Sequence, residues 1–221
     1  MMDLELAQCQ LGTPLALARG EHLFQMHDAA NGELYYVRSG HIKLYQQCPD
    51  GVERIIDFVQ PGDWLGVDTI GEPERHASAL ALTDCELDLV PYRQLAELMD
   101  REPYSCDLFS AMLSREIERQ QIAAATLRSA GACQRIVLFL LQRAGKAPAD
   151  PAEENHAALP MSRQEISDYL GLTPATVSRT LSLLKRNGWI SLGQRGFVVQ
   201  SRPALEQLAA GMPLTEVPAM A

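Results

Sequence analysis

The chain has 221 residues, of which 47% are hydrophobic and 21% are charged, and its formal net charge is −9. This composition is typical of a folded globular protein and excludes a disordered chain. No apolar run approaches the roughly 20 residues that a membrane-spanning helix needs. The amino terminus, MMDLELAQCQ, lacks the basic residues of a secretory signal or a transit peptide. Five cysteines without a CxxC pair indicate free thiols, so we expect a cytoplasmic protein.

The charge is divided unevenly along the sequence. Residues 1–102 contain seven Lys/Arg and 18 Asp/Glu, a formal charge of −11, whereas residues 160–202 contain six and two, a charge of +4. This asymmetry predicts two parts with different partners, and the basic part is a candidate for phosphate contact.

The first ~90 residues have the rhythm of short strands joined by glycine-containing turns, with many gaps of about 8–12 residues. The strand-like runs are Leu15–Arg19, His22–Met26, Leu34–Arg38, His41–Gln47, Val52–Val59, His76–Leu82 and Cys85–Val90. We therefore predict that residues 1–102 form a small antiparallel β-barrel or jelly roll, within an α+β protein.

Residues 104–130 contain no Pro and no Gly and consist mainly of helix formers. A helix of this length spans about 40 Å, and a narrow apolar stripe on a long helix tends to find a partner helix. The stripe consists of Leu113, Ile117, Ala124 and Leu127. We predict a dimerisation helix over residues 103–131, with packing of the stripe on the barrel as the alternative.

The remaining residues, 132–221, are predicted to form a separate domain. Ala132–Arg143 reads as an apolar helix, and Lys146–Pro160, rich in Ala, Pro and acidic residues, reads as a loop. The last segment, Pro213–Ala221, is expected to be a frayed terminus.

Two short amphipathic helices are predicted around Gly171. Ser162 and Glu165 have the spacing of a capping box, and Thr173 can cap the second helix, which has Pro174 in its first turn. The second helix presents small polar residues and an arginine, as a helix that reads the major groove requires. A helical hairpin of no special purpose is the alternative.

Two strand-like runs follow, and the sequence Gly-Gln-Arg-Gly between them predicts a hairpin with a basic tip, the wing of a winged helix-turn-helix. The predicted DNA-contacting residues are Ser162, Thr173, Ala175, Thr176, Ser178, Arg179, Lys185 and Arg195.

The segment ISDYLGLTPATVSRTLSLLKRNGWI, residues 166–190, resembles the helix-turn-helix of the CRP/FNR superfamily of bacterial transcription regulators, whose common pattern is LGLTxETVSR. PGDWLGVDTIG, residues 61–71, resembles the barrel of the FNR branch, and ERHASALALTDCEL, residues 74–87, resembles the phosphate-binding segment of the cAMP receptor protein. The resemblance implies an effector barrel, a dimerisation helix and a winged helix. It also implies a homodimer on a pseudo-palindromic DNA operator, with RNA polymerase as a partner.

Cyclic-nucleotide binding in this superfamily uses a glutamate for the ribose and an Arg-Ser pair for the cyclic phosphate, because an arginine fork and a hydroxyl match phosphate oxygens. Arg75 is retained here, but Val67 stands at the glutamate position and His76 at the serine position. We therefore expect that cAMP is not bound and that Arg75 is a surface or ion-pair arginine.

The cysteines and histidines bear on other possible cofactors. An iron–sulfur cluster needs four thiolates, whereas only Cys9 precedes the barrel, and Cys85, which aligns with the barrel cysteine of the FNR branch, lacks companions. The histidines lack metal-binding spacing, which counts against a metal site and a cupin-type enzyme. Cys48-Pro49 resembles the Cys-Pro motif of haem-responsive proteins. Haem, cysteine oxidation and the absence of any effector therefore stay open.

Two function classes result. The first is a cAMP-independent, DNA-binding transcription regulator, an activator rather than an enzyme. The second is an effector-binding or catalytic barrel whose carboxyl-terminal domain serves assembly. The candidate effector residues are Arg75, His76, Cys48 and Cys85.

Overall fold

The computed structural model describes residues 12–48, 51–145, 156–194, 196–213 and 215–219. Internal contacts divide the chain into two compact units, with the division between Gln121 and Ile122. Over the described ranges, none of the helices combines the length and apolar character that crossing a bilayer demands.

The first unit begins with antiparallel β structure. Its strands are β1 (Thr13–Leu17), β2 (His22–Phe24), β3 (Glu33–Ser39), β4 (Ile42–Gln47), β5 (Glu53–Val59), β6 (Trp64–Leu65), β7 (Ser78–Ala81) and β8 (Cys85–Pro91). In the described part of the chain they form two four-stranded sheets, ordered β1-β8-β3-β6 and β2-β7-β4-β5. The predicted jelly-roll barrel is confirmed. Strand β6 was not predicted, because two residues are too few to show an alternating pattern.

Apolar side chains from both sheets fill the interior of the barrel. The buried members are Leu17, Tyr35, Val37, Ile42, Val59, Leu65, Ala79, Ala81, Cys85 and Leu87. Fully burying one large aliphatic side chain stabilises the fold by about 1.5–3 kcal/mol, so this shared interior holds the two sheets together.

Two helices follow the last strand, α1 (Tyr92–Arg101) and α2 (Pro103–Ser129). The predicted long helix is thus confirmed as α2. On the outer face of the first sheet, Leu34 and Val90 pack against Leu95 of α1 and against α2, which contributes Leu108, Phe109 and Met112. The division between the two units lies within α2, and the predicted domain boundaries at 102/103 and 131/132 stay predictions.

The second unit is a helical domain with a small sheet. Its elements are α3 (Ala132–Gly145), β9 (His156–Ala158), α4 (Arg163–Leu170), α5 (Pro174–Arg186), β10 (Ile190–Leu192), β11 (Gly196–Val199) and α6 (Arg202–Ala209). Among the described residues its sheet has the order β10-β11-β9. The prediction of a continuous loop over 146–160 is wrong at β9, where Ala157 pairs with Phe197. Residues 146–155 lie outside the described ranges.

The carboxyl-terminal segment returns to the body of the second unit. Trp189 is fully buried, and its indole N–H donates to the carbonyl oxygen of Pro218 at 2.8 Å. The neighbouring Val217 is also buried. The prediction of a frayed terminus is therefore wrong for these residues. A buried indole N–H needs an acceptor, and the returning backbone supplies one.

Candidate nucleic-acid interface

The first helix of the predicted helix-turn-helix, α4, begins with a complete capping box. The hydroxyl of Ser162 accepts from the backbone N–H of Glu165 at 3.1 Å, and the Glu165 carboxylate accepts from the backbone N–H of Ser162 at 2.8 Å. Both bonds satisfy N–H groups that a helix start leaves unpaired. Gly171 ends the helix in the left-handed region, at φ 62°. These two local signals fix the turn between α4 and α5.

The second helix, α5, is capped by Thr173. Its hydroxyl accepts from the backbone N–H of Thr176 at 3.2 Å and lies 2.9 Å from the hydroxyl of Thr176. Pro174 occupies the first turn, where its fixed φ suits a helix and its missing N–H costs nothing. The positive end of the helix dipole makes this terminus suited to an anion such as a phosphate.

Helix α5 has one buried and one exposed face. Its buried side chains are Val177, Thr180, Leu181 and Leu184. The exposed face carries Ala175, Ser178, Arg179, Ser182, Lys185 and Arg186. The predicted residues Ala175, Ser178, Arg179 and Lys185 are thus brought together on one surface, whereas the Thr176 hydroxyl turns to its capping partner.

Sequence reasoning missed Ser182 and Arg186 on this face. Both follow Arg179 at helical spacing, three and seven residues later, and this periodicity would have identified them. A shallow open depression runs beside them along the helix, lined by Ser178, Arg179, Thr180, Ser182, Leu183 and Arg186.

Arg179 is held by its own helix. Its Nε donates to the carbonyl oxygen of Ala175 at 3.2 Å, one turn earlier. The exposed guanidinium keeps its two terminal amino groups, a fork that can donate to two acceptors on one base. Ala175 beside it offers a methyl group and no acceptor.

The predicted wing is present as the antiparallel hairpin of β10 and β11. Ile190 pairs with Val199 and Leu192 with Phe197. The turn is closed by a hydrogen bond from the N–H of Gly193 to the carbonyl of Gly196, at 2.9 Å. Arg195, the predicted basic tip, lies outside the described residues, so its contact with DNA stays a prediction.

Arg75 lies in the interior of the barrel, with 2% of its surface exposed. Its guanidinium donates to Thr69 Oγ1 at 3.0 Å and to the carbonyl oxygens of Ala30 at 3.0 Å and Glu33 at 2.9 Å. It also stacks over the ring of Phe24, 4.5 Å from the centroid. Of the two expectations for this residue, a surface arginine is wrong, whereas an ion pair is present, with Glu33. The carboxylate oxygen of Glu33 is 3.8 Å from Nη2, farther than the backbone and hydroxyl oxygens that accept hydrogen bonds from Arg75.

The residues around Arg75 fit a self-contained cluster better than a phosphate site. Arg75 already donates three hydrogen bonds to acceptors within the chain, and a phosphate would have to replace these acceptors. His76 is exposed, and its carbonyl oxygen accepts from Gln46 Nε2 at 3.0 Å. Val67 packs against the apolar cluster between the first sheet and the helices α1 and α2.

The described cysteines are dispersed. Cys85 is buried in the barrel, where its Sγ donates to the carbonyl oxygen of Thr83 at 3.2 Å, and burial raises the pKa of the thiol. Cys48 lies in the β4–β5 turn, and its N–H donates to the Val52 carbonyl at 2.9 Å. Pro49 and Cys9 lie outside the described residues. Within the described ranges no three His, Cys, Asp or Glu side chains are grouped so as to hold a metal ion.

The predicted dimerisation stripe on α2 is only partly covered by its own chain. Ile117 is 58% exposed and Leu127 is 37% exposed. Ala124 is half-buried, and Leu113 is half-buried against the cluster that α2 forms with the barrel. The exposed part of the stripe therefore begins at Ile117.

Two family models match the chain: the cyclic nucleotide-binding domain over residues 14–102 and the Crp-like helix-turn-helix domain over residues 134–208. The nitrogen fixation regulation protein FixK of Bradyrhizobium diazoefficiens is 32% identical over 201 residues, which are 90% of this chain and 83% of that protein. The transcriptional activator protein anr of Pseudomonas aeruginosa is 33% identical over 175 residues, 79% of this chain and 71% of that protein. The solved structure of FixK2 from Bradyrhizobium japonicum matches with a TM-score of 0.77 and 28% identity, over 95% of this chain and 98% of that one.

Proposed function

Because the chain belongs to the CRP/FNR superfamily of transcription regulators, we propose that it is a sequence-specific DNA-binding regulator. It acts as a homodimer on a two-fold DNA operator and does not require cAMP. The observation that carries the proposal is the exposed face of α5, where Arg179 stands among small polar and basic side chains behind a capped helix start.

Base readout is assigned to the first two turns of α5. The two terminal amino groups of Arg179 donate to O6 and N7 of a guanine, a contact that contributes about 1–3 kcal/mol of discrimination between bases. The superfamily pattern has a glutamate where this chain has Ala175, and alanine cannot accept a bond from cytosine N4. The half-site therefore keeps the guanine under Arg179, and the base pair read by the glutamate is relaxed or shifted toward A·T. Ser178 contacts the neighbouring base edge.

Contacts with the DNA backbone surround this readout. Ser162, Thr173 and Thr176 lie at the two helix starts, and Lys185 lies toward the end of α5. Arg195 is the predicted basic tip of the wing. Hydroxyls, helix N-termini and basic side chains are the usual phosphate partners in such interfaces. The local formal charge of +4 over residues 160–202 supports this assignment.

The homodimer is assigned to α2. Exposed Ile117 and Leu127, with Ala124 between them, form an apolar strip on a helix too long to be covered by the barrel alone. Two such helices side by side bury the strip in the manner of a coiled coil. A two-fold dimer places two α5 helices about one DNA turn apart, so the half-sites are spaced about 10–11 bp, centre to centre.

Independence from cAMP is supported by the interior of the barrel. The guanidinium of Arg75 is committed to Thr69, Ala30 and Glu33, and neither Val67 nor His76 provides the groups that a ribose or a cyclic phosphate requires. No catalytic activity and no bound cofactor are part of the proposal. We further assign the cytoplasm as the location and RNA polymerase as a partner. We assign activation as the effect on transcription, because the similar protein anr is a transcriptional activator.

The test is selection of DNA from a random library, followed by fluorescence anisotropy on the selected operator from 50 to 200 mM salt. We expect a two-fold motif and a fall in affinity of about 10³–10⁵ for some 6–10 phosphate contacts. Binding should be the same with and without millimolar cAMP. A barrel protein whose second domain only serves assembly would enrich no motif. An absorbance spectrum of the anaerobically purified protein tests the alternative cofactor, since a Soret band would reveal haem.

A further inference from the structure

An arginine on α2 connects this helix to the edge of the second sheet. Nη2 of Arg119 donates to Oδ2 of Asp57 in β5 at 2.5 Å and to Oε1 of Glu116 at 2.6 Å. Its Nε donates to the other oxygen of Glu116 at 2.9 Å. Asp57 and Arg119 are 62 residues apart in sequence, so only the fold brings them together. The two carboxylates and the guanidinium form one network.

This network is largely withdrawn from water. The side chains of Asp57 and Arg119 are 4% and 23% exposed, and the second oxygen of Asp57 accepts from the N–H of Phe58 at 2.8 Å. Burial opposes the charge of Arg119, yet Glu116 and Asp57 raise its pKa overall. Burial likewise opposes the charge of Glu116, and the bond from Arg119 lowers its pKa. Exposed ion pairs contribute little, but removing one partner of a buried pair leaves an uncompensated charge.

The position of Arg119 along α2 gives the network a second consequence. The apolar packing of α2 on the barrel includes Leu108 and Met112 and ends at Leu113. Arg119 lies on the same face as Met112, two turns further on, and at 3.6 residues per turn it lies roughly opposite Ile117. The ion pair therefore holds α2 at the level where the exposed apolar strip begins.

We propose that the Asp57–Arg119 pair is a positioning element for dimerisation: it fixes the rotation of α2, so that Ile117 faces a second copy of this chain. This inference rests on the proposed homodimer. Without the pair, the helix beyond Leu113 loses this polar anchor on the sheet, and the strip loses its fixed direction. Glu116 supports the pair by holding both Nη2 and Nε of Arg119.

The test is the dimer dissociation constant by sedimentation in Arg119→Met, Asp57→Asn and the double variant. We expect each single variant to raise the dissociation constant at least ten-fold. The constant of the double variant should be close to that of either single variant, because all three remove the same contact. Arg119→Lys retains the charge and should stay within about three-fold of the wild type. Arg93→Met is the matched control, since it breaks an exposed ion pair with Glu97 on α1, and it should leave the constant unchanged.

Two readouts separate positioning from plain stabilisation of the barrel. The urea unfolding midpoint is measured beside the dissociation constant, and far-UV circular dichroism identifies folded chains. A lower midpoint with an unchanged dissociation constant in folded Arg119→Met would overturn the inference, as would additive effects in the double variant. Should Arg119→Met not fold, Asp57→Asn, which preserves shape and volume, decides in the same way. A wild-type monomer would instead overturn the proposed homodimer.

Discussion

Gly66 and Arg75 are in such close contact that no side chain fits between them. A Cβ added to Gly66 would lie 2.6 Å from Nη1 of Arg75 and 2.6 Å from the carbonyl oxygen of Glu33. Gly66 also has φ 84°, in the left-handed region. The glycine is therefore required twice, by its backbone and by the arginine packed on it, and it lets Arg75 fill the interior of the barrel.

This contact gives a stability prediction. A Cβ added to Gly62 would have no atom within 4 Å, but Gly62 has φ 90°. Gly62→Ala should therefore lower the free energy of unfolding only by the left-handed penalty of about 1–2 kcal/mol. Gly66→Ala should cost that penalty and a further ~1–3 kcal/mol, because the fixed carbonyl of Glu33 cannot move aside. Urea unfolding of both variants measures the difference. Equal losses would mean that Arg75 and Glu33 are not packed against Gly66.

DNA affinity should depend on Arg179 in a base-specific way. Arg179→Ala should weaken the best operator by about 1–3 kcal/mol and flatten the preference at one guanine, because the fork to O6 and N7 is lost. Arg202→Ala removes the same charge from α6 and should leave base preference unchanged. In the reverse direction, Ala175→Glu should sharpen preference at the neighbouring base pair. Library selection with each variant measures these preferences, and an unchanged motif in Arg179→Ala would refute the readout.

Charges placed in the apolar strip of α2 should separate the dimer. Ile117→Asp combined with Leu127→Asp would bury paired like charges, so we expect monomers in sedimentation and loss of tight operator binding. Ile122→Asp is the control, since Ile122 is exposed on the roughly opposite side of the same helix. A dimer that survives the double substitution would place the interface elsewhere.

The returning carboxyl terminus should contribute measurable stability. Val217→Ala removes two buried methyl groups and should lower the free energy of unfolding by about 1.5 kcal/mol, at ~0.8 kcal/mol for each. Val52→Ala, at an exposed site in the barrel, should change it by less than about 0.5 kcal/mol. The measurement is urea unfolding followed by tryptophan fluorescence, to which both Trp64 and Trp189 contribute. A loss no larger than that of Val52→Ala would mean that the segment is detached in solution.

Burial of Cys85 predicts a pH dependence. Because the folded pKa of this thiol is raised, the unfolded chain loses its proton first as pH rises through about 8.5. The free energy of unfolding should therefore decrease above that pH, and Cys85→Ala should remove this part of the decrease. At pH 8, iodoacetamide should label the exposed Cys106 long before Cys85. Rapid labelling of Cys85 in the folded protein would reopen it as a redox site.

Short-range signals in the sequence were sufficient to predict much of the local structure of this protein. The capping box of Ser162 and Glu165, the left-handed turn at Gly171 and the cap at Thr173 all depend on residues within four positions, so local sequence determines them. The length of α2 follows from 27 consecutive residues without Gly or Pro after Pro103. The exposed face of α5 follows from helical periodicity, and the same periodicity would have added Ser182 and Arg186.

Only the tertiary structure decided which distant residues meet. Arg75 reads as a surface arginine because two of its three acceptors are the backbone carbonyls of Ala30 and Glu33, which lie more than 40 residues away and which no side-chain pattern encodes. Strand β9 exists because β11 pairs with it, and Pro218 meets the buried indole of Trp189 through its backbone carbonyl. Asp57 and Arg119 likewise look like ordinary surface charges until the fold withdraws both from water. In each case the residue type was visible in the sequence, but its desolvation and its partner depend on chain segments that only folding brings together.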